Sequence, residues 1–222
     1  MAFVVLPALI PEIAEVYDVY FAAFKDEPIL EYYYPNGINH NEHRQRVLDG
    51  WNLDPDSYTL KCVEPATGHI VGMAVFEVQW RKGSSRPRGA SESLEGWERQ
   101  RLQTVLDALN NKREELMGER KHVYCQTMAV LPDYQRKGVG ALLMSWGIDA
   151  AERLDLPIYV ESTLPGRHFY RAMGFETPTY VIHKGEDVGR EKDDIVPIMV
   201  KMPIKYEGLS VEDWHVMVDE EV

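Results

Sequence analysis

The chain has 222 residues, 45% hydrophobic and 27% charged, with a formal net charge of −12. That size and balance suit one generous globular domain over 1–222 with a core that needs no staples. The negative field repels nucleic acid and anionic bilayers, so neither a nucleic-acid nor a membrane partner is expected. The opening segment, MAFVVLPALIPEIAEVY, lacks a basic start and is broken by Pro7 and Pro11, so no signal peptide is read. No apolar run is long enough to span a bilayer. A cytosolic or nuclear setting is the default, and cytoplasmic is the expectation. Cys62 and Cys125 lie in apolar, strand-like surroundings and are expected as buried thiols, not a disulfide.

Residues 3–8 read as a first strand. Ile13, Val16, Tyr17, Tyr20, Phe21 and Phe24 then recur at helical spacing behind Pro11. Two prolines and a glycine make 25–39 a loop, and 40–51 a second short helix. Residues 57–63 and 69–79 are rich in β-branched side chains and bracket "EPATG", which predicts an antiparallel hairpin. "RKGSSRPRGA", 81–90, is a basic, breaker-rich loop, read as flexible rather than as a lid. Leu94 to Leu116 carry mostly helical spacing, so 91–118 is one long amphipathic helix or two short ones. A strand at 122–130, a helix over 138–154 and a strand at 156–162 form a βαβ unit with two parallel strands. Residues 166–175 are a short helix with Gly174 where a left-handed cap is wanted. Strands at 177–184 and 196–204 flank a charged loop, and the acidic tail from 207 reads as an end able to fray. The fold class is α/β, with a mixed, mostly antiparallel sheet.

"LPDYQRKGVGALLM", 131–144, places Gln135, Arg136, Lys137, Gly138, Val139, Gly140 and Ala141 between a strand and a helix. Glycines let the backbone approach a ligand, and free N–H groups of a first helical turn suit a pyrophosphate. No P-loop pattern occurs, and the third glycine of a dinucleotide fingerprint is missing. A glycine turn with solvated cations is the bland alternative.

With "HFYRAMGFE" following about thirty residues later, the sequence resembles the GNAT N-acetyltransferase superfamily. The resemblance is strong over 122–175 and weaker, though consistent in element order, over 1–80. It implies a GNAT-like sheet with a splayed parallel strand pair and flanking helices, and acetyl-CoA as co-substrate without a metal. Main-chain groups of Gln135 to Ala141 are expected to bind the coenzyme A pyrophosphate. Met128, Ala129 and Val130 end a strand whose free edge pairs with the pantetheine, and the N–H of Met128 or Ala129 holds the oxyanion. Tyr170 is the expected general acid for the departing thiolate, with Thr163, Gly166 and Phe169 lining the same channel. Residues 81–121 form an insertion relative to minimal members. Its long helix and the "ESTLPG" lead-in are similar to a fungal subset.

A protonated amine must lose a proton before attack. Tyr124 and Gln126 stand where relatives often place a base, and neither is a good one. Glu161 is ranked above Glu77, with His122 and His168 as further options. An aniline or hydrazine acceptor needs no strong base. Tyr32, Tyr33 and Tyr34 either wall the acceptor pocket or tuck their loop onto the core. His40 and His43 read as a surface pair, not a metal site. The expected reaction is direct transfer of acetyl to a small-molecule amine, less readily a peptide or protein amine, by a monomer or homodimer. The rivals are a catalytically weak acyl-CoA-binding sensor or scaffold, and an acyltransferase using longer chains or a hydroxyl acceptor.

Overall fold

In the computed structural model, residues 2–51, 55–83, 87–91 and 93–220 are described, and seven strands form one sheet. The strands are β1 (Val4–Pro7), β2 (Ser57–Glu64), β3 (His69–Gln79), β4 (His122–Val130), β5 (Ile158–Glu161), β6 (Glu176–His183) and β7 (Asp194–Lys201). Their order is β1-β2-β3-β4-β5-β7-β6. Every pairing is antiparallel except β4 with β5. The mixed, mostly antiparallel sheet is thus as expected. So is the hairpin of β2 and β3, closed by Gly68 at φ +74°.

The main helices are α1 (Ile13–Phe24), α2 (Pro28–Tyr33), α3 (His40–Trp51), α4 (Gly96–Met117), α5 (Val139–Leu154), α6 (Arg167–Ala172), α7 (Gly185–Val188) and α8 (Val211–Glu220). Strand alternation splits them between two faces. Val123, Cys125, Ile158 and Val160 pack with Val139, Leu143 and Met144 of α5 and with Tyr170 of α6. On the opposite face Tyr124, Tyr159, Ile198 and Val200 pack with α4 and α8, while Met73 and Val75 pack with α1. α5 lies close to the sheet because two glycines remove side chains between them. A Cβ on Gly72 would lie 2.6 Å from Val139, and one on Gly147 would lie 2.4 Å from Phe76. That close approach brings the start of α5 to the end of β4.

Two local expectations change, and one open alternative is decided. The 25–39 segment contains α2, started by Pro28 in its first turn. β7 begins at Asp194 and ends at Lys201, because Pro203 offers no N–H to a ladder and opens a turn over 204–206. The expected 91–118 element is one helix of 22 residues, with Leu102, Val105, Leu106, Leu109 and Leu116 buried. Residues 84–86 of the basic loop and Glu92 lie outside the described residues.

The acidic tail is ordered as far as Glu220. It forms α8, and Trp214 is 2% exposed within the cluster that holds Tyr124 and Tyr159. Trp214→Ala is expected to cost about 3–5 kcal/mol, read as a lower urea midpoint. Cys62 and Cys125 are buried free thiols, as expected. No helix among the described residues is long and apolar enough to cross a membrane.

Candidate active site

The parallel pair is short. Val123, Tyr124 and Cys125 oppose Ile158, Tyr159 and Val160, and there the β4–β5 pairing stops. β4 continues on β3 alone, with Gly72 opposite Val130 and Val75 opposite Thr127. The register shifts there, since Val75 opposes Thr127 and Phe76 opposes Cys125, leaving Gln126 as an extra residue. A bulge of this kind bends its strand. Past Cys125, β4 has no pairing with β5, which leaves one edge open.

The register decides which groups line that edge. The Leu131 N–H donates to Val71 O at 3.0 Å, so 131 is a β3-facing position. Antiparallel alternation then turns Ala129 and Thr127 toward β3, and Met128 and Val130 toward the opening. Of the two amides expected to hold an oxyanion, Met128 has the open orientation and Ala129 does not. Val130 O is met from the open side by Gln135 Nε2 at 3.3 Å.

The chain next folds into a turn at Pro132–Tyr134, then passes Arg136 at φ 61° and Gly138 at φ 89°. Gly138 is the N-cap of α5 in left-handed backbone, which glycine adopts at little cost. α5 has no side-chain cap and no acid in its first turn. Its geometry leaves the N–H groups of Val139, Gly140 and Ala141 without intrahelical acceptors. Arg136 and Lys137 are exposed, and Lys137 Nζ lies 5.0 Å from the Tyr134 ring centroid. Phe169 covers Gly140, where a Cβ would touch its ring at 3.5 Å. An uncapped helix start, a glycine approach and two cations make an anion-receptive cradle.

Tyr170 is fixed by a helix-terminating motif. Phe175 N–H donates to Tyr170 O at 3.0 Å, and Gly174 N–H to Arg171 O at 3.0 Å, with Gly174 at φ 86°. This double closure brings the Phe175 ring within 5.5 Å of the Tyr170 ring, while Phe169 lies 5.1 Å away on the other side. The expected left-handed cap at Gly174 is therefore present. Thr163 Oγ1 accepts the Gly166 N–H at 3.1 Å where this helix begins. The Tyr170 hydroxyl interacts with the Cys125 thiol, at the last paired residue of β4. Burial, reinforced by Cys125, pushes this phenol well above its usual range, so it keeps its proton as a donor must.

The candidate carboxylates lie on the other face. Glu161 follows the last β5 residue paired with β4, and alternation sets it beside Tyr124 and Tyr159, away from Tyr170. The Tyr124 hydroxyl donates to Glu161 Oε2 at 3.0 Å, and Arg88 forms a salt bridge to the same oxygen. The Tyr159 hydroxyl reaches Oε1 only at 3.5 Å. Glu77 accepts from Gln126 Nε2 at 2.9 Å and Gln79 Nε2 at 3.1 Å. Arg88 was not foreseen in this role. Its backbone is fastened to α4, donating to Asn110 Oδ1 at 3.1 Å and accepting from Asn110 Nδ2 at 2.7 Å. This part of the basic loop is anchored, contrary to the flexible reading.

The three tyrosines divide their roles. Tyr32 is buried and its hydroxyl donates to Asp194, so it belongs to the core. Tyr33 feels the charges of Arg88 and Glu161. Tyr34 meets His43 Nδ1 at 2.5 Å and accepts from Arg46 at 2.9 Å. His43 is no surface residue: it is packed against Tyr17 and Phe21. Among the described residues no group of three or more His, Cys, Asp or Glu is placed to hold a metal ion.

His168 is exposed. His122 is sealed in the core at the far end of β4, with Nδ1 2.8 Å from Arg120 O. Burial, aided by Arg113, lowers it to about 4 against the opposing pull of the Arg120 carbonyl. Burial likewise lowers His43 to about 4, aided by Arg46 and His40. Unfolded histidines protonate near 6.5, so below that pH the unfolded chain binds more protons than the folded one. Stability present above pH ~6.5 is lost as pH falls toward 4, with about 3 kcal/mol from His122 alone. Urea unfolding at pH 7 and pH 4.5 checks the sign, and His122→Gln is expected to flatten the slope.

A model of the acetyltransferase (GNAT) family matches residues 14–175, spanning α1, the opened edge, the α5 cradle and the Tyr170 turn. The chain belongs to the acetyltransferase (GNAT) family. Membership assigns it to the acetyl-CoA-dependent acetyltransferases as a class. It is 30% identical over 134 residues to the probable acyltransferase SID5 of Ajellomyces capsulatus, covering 59% of this chain and 93% of that protein. Its GNAT fold is shared with the C-terminal condensation domain of Ebony in complex with β-alanyl-dopamine, at TM-score 0.64 and 14% identity, covering 91% and 99% of the two chains. A mosquito arylalkylamine N-acetyltransferase like 5b gives 0.63 and 13%, covering 90% and 100%. The Salmonella typhimurium protein yncA, solved with its cofactor acetyl-CoA, gives 0.57 and 16%, covering 95% and 99%. At these identities the likeness to solved structures is one of fold.

Proposed function

We propose that this GNAT protein passes the acetyl group of acetyl-CoA directly to a primary amine of a small molecule. One observation carries the reading: the Met128 amide faces an opening that has the uncapped start of α5 at its end and the Tyr170 hydroxyl on one face. Acetyl-CoA supplies the activated thioester. The backbone from Gln135 to Ala141, with Arg136 and Lys137, holds the pyrophosphate. The edges of Met128 and Val130 take the pantetheine like an added strand. Met128 N–H steadies the oxyanion as the amine attacks. Tyr170 gives its proton to the departing sulfur, so a C–N bond forms, a C–S bond breaks and a free thiol leaves. Glu161 receives the proton that the amine sheds. Thr163, Gly166 and Phe169 shape the wall between α5 and α6. Both cysteines are buried, and burial raises Cys62 to about 11 and Cys125 to about 12, which disfavours a thiolate relay.

The acceptor class draws support from two fold relatives, one named for arylalkylamines and one bound to β-alanyl-dopamine. The 81–121 insertion and the relative from Ajellomyces capsulatus support placement with a fungal subset. We place the whole reaction in one domain, acting in the cytoplasm as a monomer or homodimer. A second reading, a catalytically weak acyl-CoA sensor, is favoured by the existing engagement of Glu161 with Arg88 and Tyr124. Thiol release from acetyl-CoA across a panel of alkylamines, arylamines, polyamines, amino acids and peptides separates them. Turnover on a small-amine class supports transfer, and coenzyme A binding without turnover on any amine supports the sensor.

A further inference from the structure

The Glu161 carboxylate is held asymmetrically. Oε2 carries both the Arg88 salt bridge and the Tyr124 hydroxyl, whereas among the described residues Oε1 has only the 3.5 Å approach of Tyr159. A carboxylate pinned by one oxygen presents the other. Arg88 itself is fixed from behind, since Asn110 on α4 takes both its backbone N–H and its backbone carbonyl. Ala90 N–H adds a bond to Gln103 Oε1 at 3.0 Å, so 88–90 lies strapped along α4. The guanidinium carbons of Arg88 and Arg113 lie 5.6 and 4.4 Å from the centroid of the Tyr124 ring. Tyr33, Tyr159 and His183 also feel the Glu161 charge. The cluster stands on the sheet face opposite Tyr170, where the strands part.

From this geometry we infer that Arg88 is a positioning residue of the transfer reaction, aiming Glu161 Oε1 at the ammonium of a cationic alkylamine acceptor. The inference rests on the reading of Glu161 as proton acceptor. α4 sets the aim through Asn110, which gives the 81–121 segment a part in catalysis. The ammonium N–H bond breaks toward Oε1, the nitrogen keeps its electron pair, and Arg88 and Tyr124 hold Oε2 still. An alkylamine needs this step. An arylamine, already neutral at pH 7, does not.

The test compares kcat/KM for an alkylamine and an arylamine in wild type, Glu161→Gln, Arg88→Ala and Arg88→Lys, with coenzyme A calorimetry verifying the fold of each. Glu161→Gln and Arg88→Ala are expected to lose about 10²-fold on the alkylamine and only a few-fold on the arylamine. Arg88→Lys, which keeps the charge, is expected to recover part of the loss, as is added guanidinium with Arg88→Ala. Asn110→Ala leaves the guanidinium in place and is expected to show a milder, same-signed bias. If Glu161→Gln loses alkylamine activity but Arg88→Ala does not, the positioning role is overturned while the Glu161 reading stands. If Glu161→Gln also matches wild type, that reading fails and takes the inference with it. Equal losses on both acceptors, with no guanidinium rescue, mean a purely structural salt bridge and overturn the inference.

Discussion

Tyr170→Phe is expected to lower kcat by about 10²–10³-fold while coenzyme A affinity stays within about threefold. The substitution removes one oxygen. The ring remains between Phe169 and Phe175, and the backbone closure through Gly174 and Phe175 does not use the hydroxyl. The fold gives up only the interaction of the hydroxyl with the Cys125 thiol, which limits the stability change to about 1 kcal/mol. The reaction gives up the proton for the departing thiolate. An acetyl thioester of a more acidic thiol leaves without that proton, and is expected to restore most of the rate. Single-turnover acetyl transfer measures the chemical step apart from release. A variant with wild-type kcat would remove Tyr170 from the mechanism.

Ala141→Asp is expected to move stability and ligand affinity in opposite directions. Ala141 is the third residue of α5, counted from Val139, and the first turn holds no acid. A carboxylate there complements the helix dipole and is expected to raise stability by about 0.3–1 kcal/mol. The same charge stands against a pyrophosphate. At roughly 6 Å and an effective dielectric near 20, the repulsion amounts to about 2–3 kcal/mol, or on the order of 10²-fold in coenzyme A Kd. Added salt is expected to shrink the affinity loss. Thermal unfolding and calorimetry on one preparation read both signs. Higher stability with unchanged coenzyme affinity would mean that the anion binds elsewhere.

The legible parts of the site are those written in contiguous backbone. Gly138, Gly140 and Gly174 mark positions where a turn or a close approach is required, and the cradle and the Tyr170 turn follow from them. Other features need a partner strand. The choice between Met128 and Ala129 depends on which of them opposes β3 in a hydrogen-bonded pair, and only the β3 register fixes that. The extra residue at Gln126 is hidden for the same reason. The partner of Glu161 stands 73 residues away in a segment whose glycines, serines and charges read as a mobile loop. Asn110, which fastens it, looks like one more polar position on an amphipathic helix. His43 looks exposed on the polar α3, because the rings that bury it come from α1 and Tyr34. Trp214 lies in an acidic tail, and its cluster partners Tyr124 and Tyr159 are distant in the chain.

The most direct measurement is amide hydrogen exchange with and without coenzyme A. Binding is expected to slow exchange at Met128 and Val130 on the open edge of β4 and at Gly138–Ala141 at the start of α5, leaving β1 and β2 unchanged. Protection confined to other segments, or none at saturating coenzyme A, would contradict a site built from that edge and that helix.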